Sequence, residues 1–192
     1  MRYDSIGDIM KSGIFLIISV ILLFLTLGGI GYIISLFNSL IQVRNNIGKA
    51  WHNIDVLLLQ RNEEIPKLID VTKAYVQYEK GILESLTRLR ALFPSARRTD
   101  QKTKIENELE EKMHGLKAVW EGYPDLKANE LFLKIQQRIT ELESAIADRR
   151  TFFNETVTIY NIQREVFPQV VFAWMLGFRH HPLLEVPKKK KP

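Results

Sequence analysis

From Ile14 to Phe37 the chain carries no charged residue. At about 1.5 Å per residue, a helix of that length spans a hydrocarbon core of roughly 30 Å with some to spare. The alternative, a cleaved signal peptide, fits less well. The run is too long for an h-region, and no convincing small-x-small cleavage site stands before the polar part of the chain. The sequence therefore predicts a short N-terminal segment (1–13) and a single transmembrane helix (14–37), the mark of a single-pass protein of the cell membrane.

Gly28, Gly29 and Gly31 fall in the second half of the run. Small residues there let two spanning helices approach, but the pattern is GGxG rather than GxxxG, so the signal for a homo-oligomer is weak. A dinucleotide-loop reading fails, because Ile34 stands where a third glycine is required and no strand precedes. Arg2 and Lys11 before the run balance Arg44 and Lys49 after it, which leaves orientation unresolved by the positive-inside count. Lys11 lies nearest the run and leans the reading toward an inside amino terminus.

The formal charge is +5, and Lys188, Lys189, Lys190 and Lys191 supply four of those charges. Elsewhere Lys and Arg alternate with Glu and Asp along helical faces, a solvated surface rather than a basic face with stacking aromatics; no nucleic-acid partner is expected. There is no cysteine, so disulfides, thiolate metal sites and a cysteine nucleophile are excluded while the redox compartment stays open.

After the run, Leu40, Val43, Ile47, Trp51, Ile54, Leu58, Ile65, Leu68, Thr72, Tyr75, Leu83, Leu86 and Phe93 recur mostly at three- and four-residue steps, the period of helices with one buried stripe. Pro94 ends this stretch. A further helix is expected over about 102–120, with the stripe Ile105, Leu109, Met113, Leu116 and Trp120. Gly122, Tyr123, Pro124 and Asp125 combine stop and restart signals. The last long helix is expected to begin there, carrying Phe132, Ile135, Ile139, Leu142, Ile146, Phe153, Val157 and Tyr160 and stopping near Pro168.

Pro66 is either a kink in one long helix or the first turn of a new one after Asn62. A reversal near Asn62 gives segments of matched length, so the sequence favours an antiparallel bundle of four long helices, with three helices and a kink at Pro66 as the alternative. The fold class is all-α either way, with a bundle domain over 38–168, an apolar segment over 169–185 and a basic tail over 186–192.

Several landmarks carry a family resemblance. Phe37-Asn38, Arg44-Asn45, Ala50-Trp51, Ile54-Asp55-Val56, Arg61, Ile65-Pro66 and Glu79 come first. Tyr123-Pro124-Asp125-Leu126-Lys127-Ala128-Asn129, Gln136, Glu143, Ile146, Arg150, Phe153-Asn154, Val157, Tyr160-Asn161, Phe167-Pro168 and Gly177-Phe178 follow. In order and spacing these strings resemble the LemA family of prokaryotic membrane proteins, from the end of the apolar run to Glu185. Phe37 and Phe153 stand where the family usually has tyrosine, and Leu184 replaces an aromatic. The resemblance implies a membrane-anchored helical bundle of poorly defined activity, one branch being associated with magnetosome formation, and gives no catalytic residues to carry over.

His52, His114, His180 and His181 show no ligand spacing on a helix, and His180-His181 with Glu185 fits a surface turn before Pro182 better than a metal site. No cofactor or metal is expected. The pairs Glu63-Glu64, Glu110-Glu111 and Glu141-Glu143 fit a solvated helix face, with no apolar pocket to split their roles. Asp55 and Arg150 border apolar runs and fit interhelical contacts that fix register. Asn154 and Asn161, seven apart with Tyr160 beside them, fit the alignment of a bundle. Trp51, Pro66, Tyr123 and Pro124 are architectural candidates. Trp174 and Phe178 belong to an apolar segment, Val170 to Phe178, too short to cross a bilayer. It is expected to pack on the bundle, or else to lie in the membrane interface or in a partner's groove.

These features lead to a non-enzymatic membrane scaffold or interaction protein, its bundle presented to other membrane proteins. An enzyme or accessory subunit working through Asp55, Arg150 and Tyr160 is one alternative. A lipid-surface sensor working through Trp174 and the terminal lysines is the other.

Overall fold

A computed structural model describes residues 2–75 and 80–184, with side chains from Gly13 onward. Glu79, Glu185 and the lysine tail lie outside the described residues. Among the described residues every regular element is helical: α1 (Arg2–Lys73), α2 (Lys80–Leu92), a 3-10 turn (Phe93–Ser95), α3 (Thr99–Trp120), α4 (Pro124–Lys127), α5 (Glu130–Glu165) and α6 (Gln169–Met175).

Two compact units divide the chain: Met1–Asn45 with Ile159–His180, and Asn46–Thr158 with His181–Pro192.

In the first unit every residue from Gly13 to Ser35 is exposed, although the stretch is almost wholly apolar. The part of α1 from Gly13 onward is long and apolar enough to cross a membrane. Burial begins at Leu40, which is fully enclosed. Arg44 lies over the Phe178 ring, 5.3 Å from its centroid. Tyr160, buried near the end of α5, donates its hydroxyl to the Arg179 carbonyl at 3.0 Å.

The short helix α6 ends because Gly177 adopts φ +67, a left-handed conformation that costs a residue with a Cβ about 1–2 kcal/mol. Phe178 N–H then reaches the Ala173 carbonyl at 2.9 Å and Gly177 N–H the Trp174 carbonyl at 3.3 Å. That pairing satisfies carbonyls that a helix end otherwise leaves open.

The core of the second unit draws on α1 (Ile65, Leu68, Ile69), α2 (Leu83, Leu86, Leu89), α3 (Leu109, Met113, Leu116, Trp120), α4 (Leu126) and α5 (Phe132, Ile135, Ile139). Trp120 meets Phe132 edge to face at 4.8 Å. Asp55 pairs with Lys102 and Arg61 with Glu106, which sets α1 and α3 running the same way. Glu110 with Arg150 and Lys117 with Glu143 set α5 against them.

The structure corrects three of the expected boundaries. The chain does not reverse near Asn62: α1 continues through Pro66 to Lys73. Its buried stripe of Leu58, Arg61, Ile65, Leu68 and Thr72 runs unbroken past the proline, so a turn there would expose core positions on both sides. The lost backbone hydrogen bond costs less than that burial. Nor does the helix containing Pro66 extend to Phe93, because α1 ends at Lys73 and a separate helix, α2, begins at Lys80.

The long C-terminal helix starts at Glu130 and not at Pro124. Pro124 opens the four-residue α4, which drives Leu126 into the core. Asn129 then caps α5, its Oδ1 accepting from Phe132 N–H at 3.0 Å while its amide nitrogen donates to the Tyr75 hydroxyl at 3.1 Å. Tyr123 packs half-buried against the core.

Candidate functional site

The stripe of α5 passes from Ile146 to Phe153 through position 150, and that position holds an arginine. Arg150 is only 6% exposed and pairs with Glu110 at 3.5 Å. Burial lowers the pKa of its guanidinium, and the attraction and hydrogen bond of Glu110 oppose the shift.

One layer away, Arg61 fills the corresponding place in the α1 stripe, 2% exposed, and donates through Nη2 to the Glu106 carboxylate, itself 1% exposed. Burial pushes Arg61 down to about 10; attraction to Glu143 and Glu110 resists this, and repulsion by Arg150 adds to it. It remains a cation at neutral pH. Its Nε has no hydrogen-bond partner among the described residues.

Toward the Asp55 end, Lys102 bonds to Asp55 and lies 5.2 Å from the Phe93 ring centroid. On the α5 side, Lys117 bonds to Glu143 at 2.7 Å. Four ion pairs thus link α3 to its neighbours, each cation meeting a carboxylate on another helix. Such pairs fix register, because an offset of one residue leaves a buried charge alone.

This corrects the expectation that Glu110 and Glu143 lie on a solvated face. On a helix, residues next to each other point about 100° apart and residues two apart about 160° apart, so one of a pair can turn inward while the other stays in water. Glu110 and Glu143 are the inward members, and Glu111 and Glu141 are exposed.

Asn154 does what sequence reasoning did not anticipate. Its side-chain amide pairs with the backbone of Leu184, donating to the carbonyl at 3.0 Å and accepting from N–H at 2.8 Å. Phe153 next to it stacks edge to face on Trp51 at 6.2 Å and on His181 at 6.0 Å. Residues 181–184, which form no regular element, are thereby tied to α5. Between them and the start of α3 lies a cavity of about 950 Å³. Its walls carry both signs of charge, among them Arg97, Lys104, Glu108 and Glu111, and Phe153 forms an apolar side.

The sequence candidates therefore separate. In the second unit Trp51 and Asn154 gather around Phe153, Asp55 and Arg150 belong to ion pairs, and Pro66, Tyr123 and Pro124 shape the helices. Tyr160, Asn161, Trp174 and Phe178 belong to the first unit. Asn161 is half-buried on α5, and Trp174 is 84% exposed. The expected alternative of packing therefore describes α6 only at Ala173 and, in part, at Gln169 and Phe172. No group of three or more His, Asp or Glu side chains gathers in metal-binding geometry among the described residues.

The Arg61–Glu106 pair was missed, although the signal stood in the sequence. Arg61 lies three residues after Leu58 and four before Ile65, and Glu106 three before Leu109, so both occupy stripe positions that a list of apolar residues passes over.

Residues 50–192 match the model of the LemA family. No curated protein matches the chain.

Proposed function

Because the chain belongs to the LemA family, we propose that it is a membrane-anchored scaffold, held by α1 and offering its helical bundle to other membrane proteins. The observation that carries the anchor is the exposure of every residue from Gly13 to Ser35, with Phe15, Phe24 and Leu25 each at least 70% exposed. Apolar surface of that extent needs a cover, and its length matches lipid. The amino terminus is taken as inside, on the single ground that Lys11 is the charge nearest the apolar run.

The non-enzymatic part rests on how the charged groups near the core are used. Asp55, Arg61, Arg150, Glu106, Glu110 and Glu143 are each engaged with an opposite charge. An enzyme working through Asp55 and Arg150 would need those groups free to meet a substrate. Exposed charges of both signs along α3 and α5 instead suit a surface that is read by other proteins.

Photo-crosslinking in native membranes tests the scaffold. A benzophenone residue at Lys104, beside the cavity, or at Arg149 on α5 should capture discrete membrane proteins that copurify with the chain. Capture of none, from a chain that stays folded and membrane-bound, would remove the scaffold reading. Single cysteines at Ser5 and Lys190, probed with an impermeant thiol reagent, test the orientation without interference from native thiols.

A further inference from the structure

We propose that α6 and the chain around it form a second membrane contact, lying flat in the lipid headgroup region beside α1. This rests on the reading of α1 as a membrane anchor. Val170, Val171, Trp174 and Met175 fall at i, i+1, i+4 and i+5, one face of α6, and all four are exposed. The opposite side holds the buried Ala173. Phe167 before the helix is 79% exposed and Leu176 after it 50% exposed, which extends the same apolar surface at both ends.

This surface belongs to the same compact unit as the exposed apolar part of α1. The contact that fixes its level is Arg44 over Phe178. Arg44, the first charged residue after the apolar run, follows Phe37 by two helical turns, or about 10 Å. That level is just outside a headgroup layer about 5–8 Å deep on each side, within the length of a side chain from it and well outside the hydrocarbon core. Tryptophan is favoured at that depth, because its ring is apolar while its N–H needs a polar partner. Arg44 and the exposed Arg179 stand beside the surface as partners for anionic headgroups. A helix of seven residues is too short to cross, so lying in the interface is the lipid geometry open to it.

The test uses the full chain in vesicles of phosphatidylethanolamine and phosphatidylglycerol, with single spin-labelled cysteines at Leu25, Met175 and Glu111. Relaxation by oxygen, which concentrates in lipid, is compared with relaxation by a water-soluble nickel chelate. The label at Met175 should show an oxygen-to-nickel ratio several-fold above that at Glu111 and below that at Leu25. A Met175 ratio equal to that of Glu111, with Leu25 deep in lipid, overturns the interfacial contact and leaves the anchor standing. Shielding of Met175 from both reagents overturns it in favour of a protein partner. A Leu25 label open to nickel removes the anchor, and the interfacial contact with it.

Discussion

Asn154 holds Leu184 by two hydrogen bonds, its side-chain amide taking the part that a neighbouring strand's backbone would take. The geometry demands both a donor and an acceptor. Asn154→Asp loses the donor, and Asn154→Ala loses both. With a net contribution of about 0.5–1.5 kcal/mol per hydrogen bond, the alanine variant should release the segment before it unfolds the bundle. Hydrogen exchange should show the Leu184 amide losing protection while core amides on α5, such as that of Leu142, keep theirs.

The Arg61–Glu106 pair should behave asymmetrically. Removing one partner strands a charge in the core, so Arg61→Met is expected to cost about 3–5 kcal/mol. Adding Glu106→Leu should restore most of that loss, because apolar residues of similar volume replace both charges. Thermal unfolding of the two single variants and the double variant in detergent gives the coupling directly. Additive losses would show that the pair is not the unit described.

The half-exposed pairs should matter less. Lys117 and Glu143 have side chains 30% and 25% exposed, and solvent screening keeps such a pair to about 1 kcal/mol or less. Lys117→Ala should therefore lower the midpoint of unfolding less than Arg150→Ala does, and salt should narrow the remaining effect.

Two glycines give opposite predictions. Gly48 lies exposed inside α1 with open space around its Cβ position, so Gly48→Ala should stabilise the chain by about 0.5–1 kcal/mol. Gly177 also has open space but holds φ +67, so Gly177→Ala should destabilise by about 1–2 kcal/mol through the backbone alone. Melting curves of the two variants, measured against the parent, should move in opposite directions.

The spacing of apolar residues made the helical stripes legible: Leu40, Ile54, Leu58, Ile65, Leu68, Phe132, Ile139 and Val157 are all buried. Local signals misplaced the turns, because a proline or a capping residue states only a local preference. Pro66 stays helical since burial on both sides of it outweighs one lost hydrogen bond. Asn129, the residue that caps α5, stands five residues after Pro124, whose start signal is the stronger one locally. Arg150 could be suspected from its aromatic neighbours, but its partner Glu110 could not, since which member of a glutamate pair turns inward depends on the facing helix. Pairing between Asn154 and Leu184 lies beyond any pattern of periodicity, because it joins a helix to a segment without regular structure.

Whether the bundle sits at a membrane depends on the fate of the apolar part of α1. Native membranes washed with alkaline carbonate, followed by an intact-mass measurement on the retained and released fractions, test it most directly. The prediction is a chain kept in the membrane pellet with residues 13–37 present. A soluble chain whose mass begins beyond that run would contradict the anchor, and with it the placement of the bundle at a membrane.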